Sequence, residues 1–335
     1  MNLAQRIENF SSLAQKIANL PKSKRSHLHE RVYAENAWFS SSDVDFALEH
    51  ISSHYLQDTL LHDWLSGYEF MTEKPQKVGV VMAGNIPAVG FHDFLSVLLA
   101  GHVLHAKLSS QDGVLMRFLA DLLIEINPAW QSHIVWAERL NEAEAYIATG
   151  SDNSARYFSY YFANKPHIIR QNRNSVAVLQ GDETVEEMES LAKDVFLYFG
   201  KGCRSVSKLL VPKGYDFVPL LDSWQSYSFL SDHHKYANNY GYQRSILLLN
   251  QTPHFDNGFL LLKEDIAQTS PISVLHYTFY GSPAHLQSVL EENKAKTQCI
   301  VSRELGHVPF GKSQLPTLTD FADGVDTMLF LSRLG

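Results

Sequence analysis

Cysteine is scarce in this 335-residue chain: there are two, Cys203 and Cys299. Two cannot build a disulfide framework, so a reducing, cytoplasmic setting is the simpler expectation. Positive charge is also in short supply. Lys and Arg number 28 against 36 Asp and Glu, a formal net charge of -8, so no basic face for a nucleic acid is expected. A local pocket for a phosphate stays compatible with that balance. Long apolar runs are missing too. No window nears the ~20 uninterrupted apolar residues that a membrane-spanning helix needs. The N-terminal MNLAQRIENFSSLAQKIANL is broken by Arg6, Glu8 and Lys16 and has no apolar core of signal-peptide type. Internal repeats, low-complexity linkers and a GxGxxG fingerprint are absent as well, so a conventional dinucleotide loop is not supported.

What is present is ordinary globular composition, 45% hydrophobic and 19% charged, at a length that suits two medium domains better than one core. Leu3, Ile7, Phe10, Leu13, Ile17 and Leu20 recur at helical spacing. A second helical stretch runs from Asp43 to Leu65. From Lys77 the pattern changes to short apolar runs alternating with helical ones. KVGVVMA (77–83) reads as a strand ending at Gly84-Asn85, with Pro87 placed where a helix starts. His102 to Leu108 and the short runs at His133 to Trp136 and Ala145 to Ala148 read as further strands, with helices at Gln111 to Ile126 and Ser151 to Phe162. A second alternating block begins at SVAVLQ (175–180) and ends with TQCIV (297–301). The boundary is expected near Asn172, where the pattern restarts. Such alternation predicts parallel sheets with covering helices, whose ligands bind beyond the carboxyl ends of the strands.

Three strand ends and one loop carry chemistry. In FGKGCRSVSK (199–208) two glycines bracket Lys201 before Cys203, and Arg204 follows. A thiol beside a cation, or at a helix start, gains thiolate character. Residue chemistry alone leaves Cys203 equally readable as a buried structural thiol. Asn85 is either a turn residue or an amide donor for an oxyanion. Lys107, with Ser109 close by, is either a solvated strand-end lysine or a contact for a nucleotide ribose or its 2′-phosphate. Thr149-Gly150-Ser151 is either a helix cap or a set of N–H groups for a pyrophosphate.

Their order is more specific than any one of them. Strand–Asn, strand–Lys, strand–TGS, strand and then Gly-x-x-Cys resembles the aldehyde dehydrogenase superfamily. Within it, GNIPAVGFHDFLSVLLAGHVLHAKLSS, ATGS, FGKGCRSVSK and HVPFGKSQLPTLTDFADGVDT are similar to the acyl-CoA reductase family that includes the bacterial luminescence fatty-acid reductase. The resemblance covers Lys77 to the C-terminus. It implies two Rossmann-like doubly wound α/β domains with an N-terminal helical region. The divisions would be 1–76 helical and packed on the cofactor domain, 77–172 binding the nicotinamide cofactor, 173–320 catalytic, and 321–335 a C-terminal strand (DTMLFL) that pairs with a second copy in a homo-oligomer.

It also implies roles. Cys203 would be the nucleophile and Asn85 the oxyanion amide, acting with the backbone N–H of Cys203. Lys107 and Ser109 would contact the adenosine ribose. Thr149, Gly150 and Ser151 would stand beside the pyrophosphate and nicotinamide, and Pro309-Phe310-Gly311 near the active site. The substrate would be an acyl-CoA or acyl-carrier thioester, reduced to an aldehyde with NADPH, or with NADH. The superfamily's water-activating Glu is missing: the matching stretch Arg170 to Asn174 has no carboxylate. That argues against the rival reading, an oxidising aldehyde dehydrogenase. A silent nucleotide-binding scaffold is the other rival. Glu264 is near the place of a ribose-contacting Glu but is not assigned. No metal is expected: His233-His234 is the densest group of the 16 histidines, and adjacent residues point different ways. The aromatic run Tyr157 to Phe162 reads as core packing, and Tyr236, Tyr240 and Tyr242 are open candidates for a substrate tunnel.

Overall fold

The computed structural model describes residues 1–70, 74–150 and 152–334, the Asp152 side chain excepted. Ser151, one of the expected cofactor contacts, lies outside them. The chain divides into two compact units, Met1–Asn172 with Thr317–Gly335, and Arg173–Pro316.

The first unit opens with α1 (Leu3–Ala18), started by a capping box between Asn2 and Gln5. Its apolar stripe is buried, and Phe10 meets Trp130 edge-on at 5.5 Å. Arg6 Nε donates to the Leu99 carbonyl at 3.0 Å. Next comes α2 (Lys22–Glu35), which the sequence pattern does not announce because only Leu28 and Val32 are buried on it. The expected helix from Asp43 to Leu65 is three pieces: α3 (Ser41–His50), a π-helical turn (Ile51–Tyr55) and α4 (Asp58–Leu65).

The sheet follows with β1 (Lys77–Val81), α5 (Phe91–Leu99), β2 (Val103–Lys107), α6 (Gly113–Ile126), β3 (Ile134–Trp136), β4 (Ala145–Thr149), α7 (Asp152–Phe162) and β5 (His167–Arg170). All pairings are parallel, in the order β3-β2-β1-β4-β5. The order therefore reverses between β1 and β4, the switch point at which such sheets open a crevice. Pro87 does not start a helix. Ala88 is left-handed at φ 54, which interrupts helical continuity, and α5 starts only after Gly90. The aromatic run is not core either. Helical spacing puts Phe158 and Phe162 on the inner face, where Phe162 stacks on Tyr146 at 3.9 Å, and leaves Tyr157, Tyr160 and Tyr161 66–81% exposed.

The second unit contains β6 (Asn174–Val178), α8 (Val185–Phe196), β7 (Val206–Pro212), α9 (Val218–Ser223), α10 (His234–Leu249), β8 (His254–Asp256), β9 (Leu261–Glu264), β10 (Val274–Tyr280), α11 (Pro283–Asn293) and β11 (Thr297–Val301). Its sheet runs β11-β6-β7-β10-β9-β8, parallel except for β8 against β9. A Thr184–Glu187 capping box starts α8. Trp224, fully buried, donates from Nε1 to the Met188 carbonyl at 2.7 Å.

The chain ends in the first unit with α12 (Thr327–Ser332), and this corrects the expected C-terminal strand. Asp326 caps it, accepting the Leu329 N–H at 2.8 Å, and Thr327, Met328, Leu331 and Ser332 are buried at helical spacing. DTMLFL thus offers no strand for pairing with another chain. Among the described residues no helix is long and apolar enough to cross a membrane.

Candidate active site

In the second unit, backbone geometry singles out the approach to Cys203. Tyr198, Phe199 and Gly200 are three consecutive residues in the left-handed region, at φ 55, 56 and 71. Side chains other than glycine pay for that conformation, on the order of 1–3 kcal/mol each. Here both aromatic rings are buried, and Phe199 lies 4.4 Å from the His233 ring and 6.0 Å from that of Tyr236. Gly200 spares this stretch a third strained side chain, and a Cβ there would meet the Val195 carbonyl at 3.1 Å.

This kink delivers the chain into a tight turn, Gly202 to Ser205. The Ser205 N–H donates to the Gly202 carbonyl at 3.0 Å, and the Gly202 N–H donates to Ser205 Oγ at 3.1 Å. Cys203 and Arg204 are the central residues, both half-buried. Cys203 therefore sits at no helix start, as one reading of its sequence context had it, but in a turn feeding the amino end of β7. The rule that ligands lie at carboxyl ends of strands does not locate it. Ser175 Oγ donates to the Cys203 carbonyl at 3.1 Å, and the Cys299 sulfur stands 3.0 Å from the same hydroxyl. Lys201 is the neighbouring cation. Burial pushes its ammonium down to about 8, and Lys235 adds repulsion. Arg204 Nε donates to the Ser313 carbonyl, which ties Ser313 to the cysteine's loop, while Gly311 of the expected Pro309-Phe310-Gly311 segment donates its N–H to Asp194 on α8.

In the first unit three of the expected strand ends lie side by side. Lys107, Val81 and Ala148 are level in register across β2, β1 and β4. Gly84 and Asn85 follow β1, and Thr149 and Gly150 close β4 at the switch point. Lys107 is exposed, while Asn85, Ser109 and Thr149 are half-buried. Gly84 matters because Ser109 crosses over it: a Cβ on Gly84 would meet Ser109 Oγ at 2.5 Å and Ser109 Cβ at 2.6 Å. Gly150 also continues the ladder to β5. Its N–H donates to the Arg170 carbonyl at 3.3 Å, extending the sheet, and its missing Cβ leaves room for Ser154 and Phe158. That N–H is therefore engaged within the protein.

Several residues were not foreseen. Asp112, 1% exposed, lies under Gly84 near the Ser109 turn, and burial holds its carboxyl well above the usual carboxylate range. Arg170 is buried against Asp93 at 2.7 Å. The stretch after it has no carboxylate of its own, but Asp323 accepts the Gln171 N–H at 3.0 Å. Ser175 stands in plain strand context and Ser205 closes the cysteine's turn just before β7, and neither carries a sequence signal. The other candidates separate: His233 caps α10, Tyr236 is buried, Tyr240 donates to Asp256 at 2.6 Å and Tyr242 is 64% exposed.

Residues 45–219, just over half of the chain, match the acyl-CoA reductase (LuxC) family. The chain belongs to the acyl-CoA reductase (LuxC) family. The matched span includes Asn85, Lys107 and Cys203 and stops before the 309–311 segment. No curated protein matches it by sequence. Among solved structures it is similar to aldehyde dehydrogenase 21 from Physcomitrella patens, solved with the product succinate (12% identity, 91% of this chain and 74% of that one, TM-score 0.67). It is similar also to the glyceraldehyde-3-phosphate dehydrogenase GapN from Methanocaldococcus jannaschii, complexed with NADP (12%, 91% and 77%, TM-score 0.63). An acetylating aldehyde dehydrogenase from Geobacillus thermoglucosidasius is a third (10%, 94% and 78%, TM-score 0.60). At these identities the likeness establishes an aldehyde dehydrogenase-like fold. Family and fold together make this an oxidoreductase of acyl and aldehyde groups.

Proposed function

We propose that this acyl-CoA reductase converts an acyl thioester, on coenzyme A or on a carrier protein, into an aldehyde through a thioester on Cys203. The observation that carries the reading is the Gly202–Ser205 turn, which presents a half-buried thiol between Lys201 and Arg204 with its own carbonyl held by Ser175. The thiolate attacks the acyl carbon, the C–S bond to the carrier thiol breaks, and that thiol leaves with a proton. Asn85 and the Cys203 N–H are assigned to the oxyanion. When bound, the nicotinamide cofactor supplies a hydride. Collapse of the resulting hemithioacetal returns the Cys203 thiolate and releases the aldehyde.

The first unit's residues fit such a nucleotide: an exposed cation at Lys107 and a hydroxyl at Ser109 stand beside the switch point, the chemistry a phosphorylated ribose needs. NADPH rather than NADH is assigned on Lys107.

The test is NADPH consumption with acyl-CoAs from short to long chain, on wild type and Cys203→Ala. Consumption with aldehyde release that vanishes in the variant supports the proposal. Undiminished turnover by Cys203→Ala overturns it. NADPH binding without any acyl-CoA turnover points to a carrier-protein thioester or to the silent scaffold.

A further inference from the structure

We infer that Asp194 and Gln314 are positioning residues for Cys203, acting through the 311–314 segment, an inference that rests on the reading of Cys203 as nucleophile. Asp194 lies on α8 and is fully buried. Its two carboxylate oxygens each take one backbone donor: Oδ2 accepts the Gly311 N–H at 2.6 Å and Oδ1 the Ser313 N–H at 2.8 Å. A buried carboxylate so paired is costly to disturb, because either N–H would otherwise be left without an acceptor. Gly311 makes the close approach feasible. It is left-handed at φ 78, and a Cβ on it would meet the Ser190 carbonyl at 3.2 Å. The segment is thereby fixed to the helix.

The same segment holds the cysteine's turn at two points. The Ser313 carbonyl accepts from Arg204 Nε, directly after Cys203. Gln314, 7% exposed, donates from Nε2 to Ser205 Oγ at 3.2 Å, and that oxygen also accepts the Gly202 N–H, directly before Cys203. Ser175 holds the Cys203 carbonyl from β6. Gly202, Cys203 and Arg204 are thus each tied to a separate buried anchor. The turn has little freedom of its own to move the thiol or the Cys203 N–H. No titration is invoked: the device is geometric, and its effect belongs on acyl transfer, which is sensitive to orientation, more than on the thiol's intrinsic reactivity.

The experiment uses the full chain in three measurements. Acylation of Cys203 by p-nitrophenyl acetate is followed as a burst of p-nitrophenol and located by mass spectrometry. Alkylation by iodoacetamide is followed against pH, and thermal unfolding by circular dichroism. Gln314→Met keeps the volume and removes the donor, and Asp194→Asn removes one of two backbone acceptors. Both are expected to slow acylation about 10- to 100-fold, the penalty typical of a misplaced reacting group, while alkylation keeps its rate and pH midpoint. Gln314→Met removes only the Nε2 donor, which serves Ser205 Oγ at 3.2 Å and Ser313 Oγ at 3.4 Å, and leaves both Asp194 bonds in place, so it stays informative if Asp194→Asn does not fold. Wild-type acylation in folded Gln314→Met overturns the inference and leaves the nucleophile reading standing. Acylation and alkylation falling in step with melting temperature also overturns it, showing a structural role only. A wild-type chain acylated nowhere on Cys203 removes the nucleophile reading, and the inference with it.

Discussion

Arg170, the last residue of β5, donates from Nη1 to the Asp93 carboxylate on α5 at 2.7 Å, and both side chains are more than nine-tenths buried. Its other terminal nitrogen donates to Thr327 Oγ1 at 2.7 Å, so one guanidinium ties a strand, a helix and the C-terminal α12. Removing one partner of a buried pair leaves an uncompensated charge, at a cost of about 3–5 kcal/mol. Asp93→Ala should therefore lower the urea midpoint sharply. Asp93→Leu with Arg170→Met should recover most of it. A double variant no better than the single one would show that the pair is not the stabilising unit.

Asn85→Ala should lower kcat about a hundredfold or more with acyl-CoA, the effect of one oxyanion donor, and leave KM and melting temperature little changed. Steady-state kinetics on the folded variant decides it. A KM effect alone would move Asn85 from the transition state to substrate binding.

Lys107→Ala should raise KM for NADPH about tenfold or more, the size of a hydrogen bond to a charged phosphate, and leave KM for NADH unchanged. An equal rise for both cofactors would place Lys107 on a group the two share.

Gly84→Ala should weaken cofactor binding by displacing Ser109, whose Oγ and Cβ would lie 2.5 and 2.6 Å from the new methyl group. Because Ser109 Cβ itself is in the way, Ser109→Ala cannot relieve the clash and Ser109→Gly can. Calorimetric titration of NADPH into Gly84→Ala, with and without Ser109→Gly, checks this. If the second substitution restores nothing, the overlap is not the cause.

Asp112 sets a pH dependence. Burial raises its carboxyl well above the usual value of 3.8, and the Ala88 N–H offsets this only in part. A raised folded pKa means that the folded state holds the proton more tightly than the unfolded chain. Its contribution is full below pH 3.8 and is lost as pH rises through the folded value. Asp112→Asn, always neutral, should match wild type at the acid end and become progressively more stable than wild type as pH rises. Melting temperatures across pH 4 to 8 (a range set about the carboxylate titration) test it. A constant difference would show that Asp112 does not titrate in that window.

Much of the architecture was legible because periodicity is a local property. Five-residue apolar runs such as KVGVV and the stripe of Leu3, Ile7 and Phe10 announce the element they form. The misreadings have physical causes. DTMLFL is apolar enough for a strand, yet the Asp326 cap and the burial of Met328 and Leu331 one turn apart make it a helix. Tyr157, Tyr160 and Tyr161 are as aromatic as Phe158 and Phe162, and only the side of α7 that meets the sheet decides which are covered. Polar α2 and the short β5 and β8 give too little apolar signal to read.

The candidate chemistry divides in the same way. Residue types and spacing raised Cys203, Asn85, Lys107 and Ser109 as candidates, since glycines beside a cysteine and polar groups at strand ends are visible in one dimension, and the family resemblance then gave them roles. Tertiary structure alone decided what holds them. Ser175 reaches Cys203 across 28 residues, Gln314 reaches Ser205 across 109, and Asp194 receives Gly311 across 117. Hydrogen bonds between such distant positions leave no periodic trace in a sequence. They exist only once the sheet and its helices have brought the donors within about 3 Å of their acceptors.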